Sequence, residues 1–260
     1  MVRAQTMDGT AVLQVREVRL SAPWQWLDRG YEDMRATAKH SLAYGLAIAL
    51  ASWALTAGLW VLGLGAWIPA LGGGFLIVAP LLAVGLYNLS RMRETGAAID
   101  ATSIFKIEAG QRLQLVYFGF LLAFIYLAWL RIAMLLYALF NYGHYGPPTE
   151  FMTFALTTKE GISLIVVGSA IGAAIAFAGF AVSAVSAPLL VARRVDIATA
   201  VLTSLDAVRR NFLPMLLWAW LIALLVALGI ATFFIGLIVV FPLVGHATWH
   251  AYRDLVSSSG

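Results

Sequence analysis

The chain contains no cysteine, which removes disulfides, iron–sulfur clusters, covalently attached haem and thiol catalysis together. Charge is scarce as well. Only 12% of the 260 residues are Asp, Glu, Lys or Arg, and 62% are hydrophobic, whereas soluble domains run at roughly 25% charged and 45–50% apolar. A soluble core could not absorb that much apolar surface, so the bilayer is the solvent for most of the chain. Four histidines, not all on one side of a membrane, are too few for haem–copper ligation. Soluble-enzyme signatures such as G-x-S-x-G, a P-loop or H-E-x-x-H are absent. The first twenty residues, with Arg16, Glu17 and Arg19, lack an apolar signal-peptide core, so the first hydrophobic helix is expected to act as an uncleaved insertion signal. The net charge of +4 does not imply a nucleic-acid partner, because retention on one membrane face and contact with anionic lipid explain it.

What the sequence does contain is a set of long apolar runs. They cover roughly Ser41 to Leu64, Trp67 to Ser90, Leu113 to Phe140, Gly161 to Val191, Phe212 to Leu228 and Thr232 to Tyr252. Each meets the ~17–25 residues needed to cross the hydrocarbon core. Backbone amides in lipid must be satisfied within their own segment, so runs of this kind read as helices. The expected fold is all-α: six transmembrane helices forming one membrane domain over residues 23–256, after a tail over 1–22. Fifteen of the seventeen Lys and Arg residues lie before, between or after pairs of these runs, and only Arg131 and Lys159 lie on the far side. This bias places both termini in the cytoplasm and the protein in a bacterial inner membrane.

The runs pair into three pseudo-repeats, about 23–92, 97–194 and 195–254. The second helix of each carries a proline followed by leucine, at Pro80, Pro188 and Pro242, and each proline predicts a helix bend. A cytoplasmic segment with helical periodicity precedes each pair. Trp24, Leu27, Tyr31, Met34 and Ala38 share one face, as do Val195, Ala198, Leu202, Leu205 and Phe212; the middle copy, Ile99 to Arg112, is weaker. Such amphipathic helices lie in the interface plane.

Candidate functional residues are few. Gly168, Gly172 and Ala176 form one small-residue ridge of the fourth run, and Gly179, Ser183 and Ala187 another. Ridges of this kind let helices approach closely, and internal packing is the favoured use. His246 and His250 are four apart, on one helix face, near Asp254. With His40 they are weak candidates for a metal or haem site; hydrogen bonding to backbone or lipid headgroups is the favoured reading, and no cofactor is expected. Arg131 sits where its side chain can snorkel to the outer headgroups. No Asp or Glu lies in a membrane core, which weakens proton-coupled transport. Trp53, in mid-run, reads as a packing residue. The outer loop Asn141 to Pro148, rich in turn formers and aromatics, is expected to be ordered and either docks a partner or caps its helices.

Two stretches, Pro23 to Asp33 leading into Ser41 to Gly45, and Gly245 to Asp254 (GHATWHAYRD), resemble an uncharacterised family of bacterial integral membrane proteins, the domain of unknown function 2189. The similarity covers about residues 15 to 256. It implies a loose association with cytochrome oxidase components and brings no established activity or site residues. The expected function is a non-enzymatic accessory or assembly protein that contacts lipids and a larger membrane complex, with a respiratory oxidase as the candidate complex. A small-molecule or lipid transporter is one alternative, and a haem- or metal-binding redox protein centred on His246 and His250 is the other.

Overall fold

Helices account for most of the described chain. The computed structural model describes residues 6–7, 10–11, 13–100, 102–141 and 151–257. The loop expected on the outer side lies outside these from residue 142 to residue 150, and His144 with it. A two-residue antiparallel ladder, β1 (Thr6–Met7) with β2 (Thr10–Ala11), comes first. The helices are α1 (Ala22–Ala36), α2 (Ala38–Val61), α3 (Ile68–Leu82), α4 (Val84–Thr95), α5 (Ala109–Phe140), α6 (Phe151–Thr157), α7 (Lys159–Ser183), α8 (Ser186–Ala192), α9 (Ile197–Arg210), α10 (Phe212–Ala231) and α11 (Leu237–Leu255).

Five stretches are long and apolar enough to cross a membrane: Ala38–Val61, Gly74–Thr95, Ala109–Phe140, Lys159–Ala192 and Phe212–Ala231. Six were expected. The sixth run corresponds to α11, which is not among them; its second half carries His246, Trp249, His250, Arg253 and Asp254.

Prolines shape two of these stretches. Pro188 has no amide to give to Ala184, and its ring collides with that carbonyl if the helix continues. The chain accordingly leaves α7 at Ser183 and restarts as α8 at Ser186. Ser204 of α9 serves both backbone groups at the break, receiving the Val185 amide at 3.1 Å and donating to the Ala181 carbonyl at 2.7 Å. The other break, at Ala83, follows Pro80 by three residues. There the Tyr44 hydroxyl of α2 donates to the Leu82 carbonyl at 2.6 Å. Neighbouring helices thus replace the lost ladder bonds, as a low-dielectric setting requires. Pro242 lies inside an unbroken α11.

The segments before the long helices differ from one another. For α9, the small polar face of Thr199, Ala200, Thr203, Ser204 and Ala207 is buried, and the apolar Leu205 points outward, as does Phe212 at the start of α10. Asp196 caps this helix by accepting the Thr199 amide at 2.7 Å. α1 buries Trp26, Gly30 and Asp33 and leaves Trp24 and Tyr31 about half exposed. Among the described residues before α5 there is no amphipathic helix, only a 3-10 turn over Ser103–Phe105. Asp100 organises it: the Thr102 hydroxyl, with the amides of Ser103 and Thr102, holds its carboxyl below the usual range.

The core sits at one end. Trp26 of α1 meets Trp218 of α10 edge-on at 5.6 Å, within a buried cluster that includes Leu86, Phe118, Leu189, Leu190 and Tyr252. Towards the other end burial fades. In α5 the buried residues Gln111, Leu115, Phe118 and Leu122 all fall in the first half. Trp53, expected to pack, is 60% exposed. The chain ends meet at the buried end, where Val15 bridges Val256 and the Arg16 amide donates to the Leu255 carbonyl at 2.8 Å.

Candidate functional site

Three helix ends, α1, the last turn of α4 and the second half of α11, converge beside the start of α2. Their approach depends on small residues. A β-carbon on Gly30 of α1 would lie 2.7–2.9 Å from Ala247 backbone and side-chain atoms, and one on Gly45 of α2 would lie 2.1 Å from the Ile238 carbonyl oxygen. α11 is therefore clasped on two sides by backbone-to-backbone contact.

Each of the three helices contributes one arginine and one carboxylate, and the pairs run in a ring. Arg29 of α1 pairs with Asp254 of α11. Arg253 of α11 pairs with Glu94 of α4 at 2.6 Å. Arg93 of α4 pairs with Asp33 of α1. Each carboxylate takes a further donor: Trp26 Nε1 donates to Asp254 at 2.9 Å, Trp249 Nε1 to Glu94 at 3.1 Å, and the Ser90 hydroxyl to Asp33 at 2.6 Å. The arginines are more than a third exposed, so two of the pairs are ordinary interfacial ion pairs of about 0–1 kcal/mol each. Asp33 is different. Its side chain is 5% exposed, so its charge depends on the donors around it.

Behind Asp33 lies a sealed polar chain. His250 Nε2 stands 3.0 Å from the Asp33 carboxylate. Ser90, having given its proton to Asp33, receives His246 Nδ1 at 2.7 Å. That fixes Nδ1 as the protonated nitrogen and leaves Nε2, at 2.9 Å from Ser41 Oγ, as the acceptor of a neutral ring. Ser41 Oγ also contacts Thr37 Oγ1 at 2.8 Å, and Thr37 donates to the Asp33 carbonyl at 2.7 Å. The sequence Ser41–His246–Ser90–Asp33 has the donor logic of a hydroxyl activated by an oriented imidazole. Yet Ser41 and His246 are 0% exposed, so no substrate reaches the hydroxyl in this conformation.

Of the residues singled out in the sequence, His250 meets Asp33 directly and His246 reaches it through Ser90, while among the described residues no hydrogen bond joins His40 to them; its neighbour Ser41 bonds His246 instead. Among the described residues no group of three or more His, Asp or Glu is arranged to hold a metal ion. The ridge residues divide. A β-carbon on Gly172 would meet the Trp129 ring at 2.9 Å, and Gly179 lies within van der Waals reach of Ile77 and Ile125, so both pack internally. Gly168 faces only Leu164 of its own helix; Ala176 is half-buried, and Ser183 and Ala187 are buried. Arg131 is exposed, about 33 Å along α5 from its start. Asp33, Ser41, Ser90, Arg93 and Glu94 are functional candidates that spacing alone did not bring forward. The signal was present in Trp26, Gly30, Asp33 and Thr37, which share one helical face and place a carboxylate beside a glycine.

These features define a polytopic, all-helical integral membrane protein with a polar clasp at one end. Residues 67–192, just under half of the chain, match the family model described as Predicted integral membrane protein (DUF2189). This is the uncharacterised family that the sequence resembles, and the match lies between the two stretches that carried the resemblance. No curated protein and no solved structure matches the chain.

Proposed function

We propose that the chain is a non-enzymatic accessory protein of a bacterial inner membrane, with both ends in the cytoplasm, that packs against a larger membrane complex. The observation that carries this reading is the engagement of the clasp with itself. Asp33, Ser41, Ser90 and His246 bond to one another and are at most 3% exposed, an arrangement suited to holding helices rather than to turning over a substrate. The opposite half of the bundle supports a partner in the membrane. Beyond Leu122 the second half of α5 has no buried residue, and α7 turns Ala170, Ala174 and Ala178 outward, on the side away from Gly172 and Gly179. Small residues at fourfold spacing on an open face suit the close approach of another transmembrane helix. The lipid-facing apolar stripe of α9 and the exposed Trp24 and Tyr31 of α1 suit anchorage in the inner interface. The family resemblance makes a respiratory oxidase the first complex to examine.

Gentle detergent extraction, native electrophoresis and mass spectrometry test the reading. A reproducible co-migrating membrane complex, lost when Ala174 is replaced by Phe, is the expected result. A lone monomer under every mild condition overturns it.

A further inference from the structure

The paired chain ends constrain how the membrane is crossed. The Val15–Val256 bridge and the bond from the Ser257 amide to the Gln14 carbonyl at 3.1 Å hold both ends on one side. The number of complete crossings is therefore even, and five membrane-length stretches cannot all be crossings. α10 and α11 must cross together or turn back together.

Their depth can be read against α2. α11 runs antiparallel to α2: His246 lies beside Ser41, Phe241 stacks near Tyr44 at 6.3 Å, and Leu237 clusters with Ala49 and Val226. Leu237, the first residue of α11, is thus level with Ala49, while α2 continues to Val61, about 18 Å further at 1.5 Å per residue. The connection over residues 232–236 recovers only about one helical turn of that distance. α3 agrees in direction, since Phe75 and Leu76 pack on the Leu237 cluster and α3 begins at Ile68, about 10–12 Å further along. The α10–α11 tip therefore ends well short of the α2–α3 tip.

The tip itself is built for a dry environment. Phe233 is 80% and Ile235 69% exposed, and no charged residue lies between Phe212 and Val244. Most of its amides are bonded internally. Thr232 Oγ1 accepts the Gly236 amide and donates to the Gly229 carbonyl, both at 2.8 Å. The amides of residues 234, 235, 237, 238 and 239 all find carbonyls within the turn or the helix before it. Phe233 and Phe234 hold left-handed backbone conformations, with φ of 54° and 67°, unusual for bulky residues. A turn in contact with hydrocarbon has no water to bond its amides and requires this closure.

From these three observations we infer that α10 and α11 form a re-entrant hairpin. It enters from the side holding both chain ends and turns back within the bilayer, with Phe233 and Ile235 seated against lipid acyl chains. Four crossings then remain: α2, α3–α4, α5 and α7–α8.

The absence of native cysteine makes the test clean. Asn141→Cys marks the far side, Glu17→Cys the near side, and Ile235→Cys the tip. In right-side-out and inside-out membrane vesicles, a membrane-impermeant maleimide is expected to label each marker from its own side. It should label Ile235→Cys from neither until detergent is added. A nitroxide on Ile235→Cys in vesicles reconstituted from the purified protein should collide more with oxygen than with a water-soluble nickel chelate, which separates burial in lipid from cover by a partner. Labelling of Ile235→Cys from the side of Asn141 means that the pair crosses fully and overturns the inference. Labelling from the side of Glu17, or a nitroxide more accessible to nickel than to oxygen, overturns it as well.

Discussion

The carboxylate of Asp33 and the imidazole of His250 meet at 3.0 Å across a sequence separation of 217 residues. Asp33 also accepts from Ser90 and Arg93, so one buried side chain joins α1, α4 and α11. Replacing it with alanine leaves the Ser90 hydroxyl and the His250 ring without an acceptor. A loss of about 2–4 kcal/mol is expected, read as a fall in the thermal midpoint of the detergent-solubilised protein. Asp33→Asn keeps an acceptor oxygen and should lose less.

The ion-pair ring makes a graded prediction. Arg253 and Glu94 are both more than a third exposed on their side chains or close to it, so a double-mutant cycle on that pair should return about 0.2–1 kcal/mol and shrink in high salt. The Arg93–Asp33 cycle, with one partner buried, should return a larger coupling that persists in salt. Equal couplings with equal salt dependence would contradict the distinction drawn between them.

Two glycines of α2 should behave in opposite ways. Gly45→Ala places a methyl group 2.1 Å from the Ile238 carbonyl, which the backbone cannot avoid without moving α11; a loss of about 1–3 kcal/mol is expected. Gly58→Ala meets nothing within 4 Å and should be neutral or slightly stabilising through helix propensity. Unfolding midpoints of the two variants in the same detergent decide the matter.

The histidines yield a spectroscopic prediction. Both ring nitrogens of His246 are occupied by serine hydroxyls, and a ligand would have to displace one of them. Purified protein mixed with haem or with zinc should therefore show no stoichiometric Soret band and no equimolar metal. A band or metal content that disappears in His246→Ala would restore the redox reading.

Long apolar helices were legible because lipid tolerates little else, and the register of polar and apolar stretches follows directly from that requirement. The clasp was not, since its contacts between α1, α4 and α11 join residues 57 to 228 positions apart and no local pattern encodes such pairs. In α1 the expected stripe divides: Trp24 and Tyr31 face outward, Met34 is buried, and the less apolar Trp26, Gly30 and Asp33 form the contact. A hydrophobic stripe on a helix at a membrane surface has two apolar partners to choose from, protein and lipid, and periodicity cannot tell them apart. His246 and His250 could be placed on one face by spacing, but their partners Ser41, Ser90 and Asp33 could not. The proline breaks were half legible: Pro188 announces an interruption, whereas the serine of α9 that repairs it lies sixteen positions beyond the proline itself.

The joining of α1 to α11 also bears on how the chain is made. At translation speeds of about 5–20 residues per second, His250 is synthesised roughly 10–40 s after Asp33. Throughout that interval Asp33 has none of its α11 partner, and Gly30 and Gly45 wait for a helix that does not yet exist. Until α11 is made, Asp33 has only Ser90 and Arg93 of α4 to bond, so closure of the clasp cannot precede synthesis of α11.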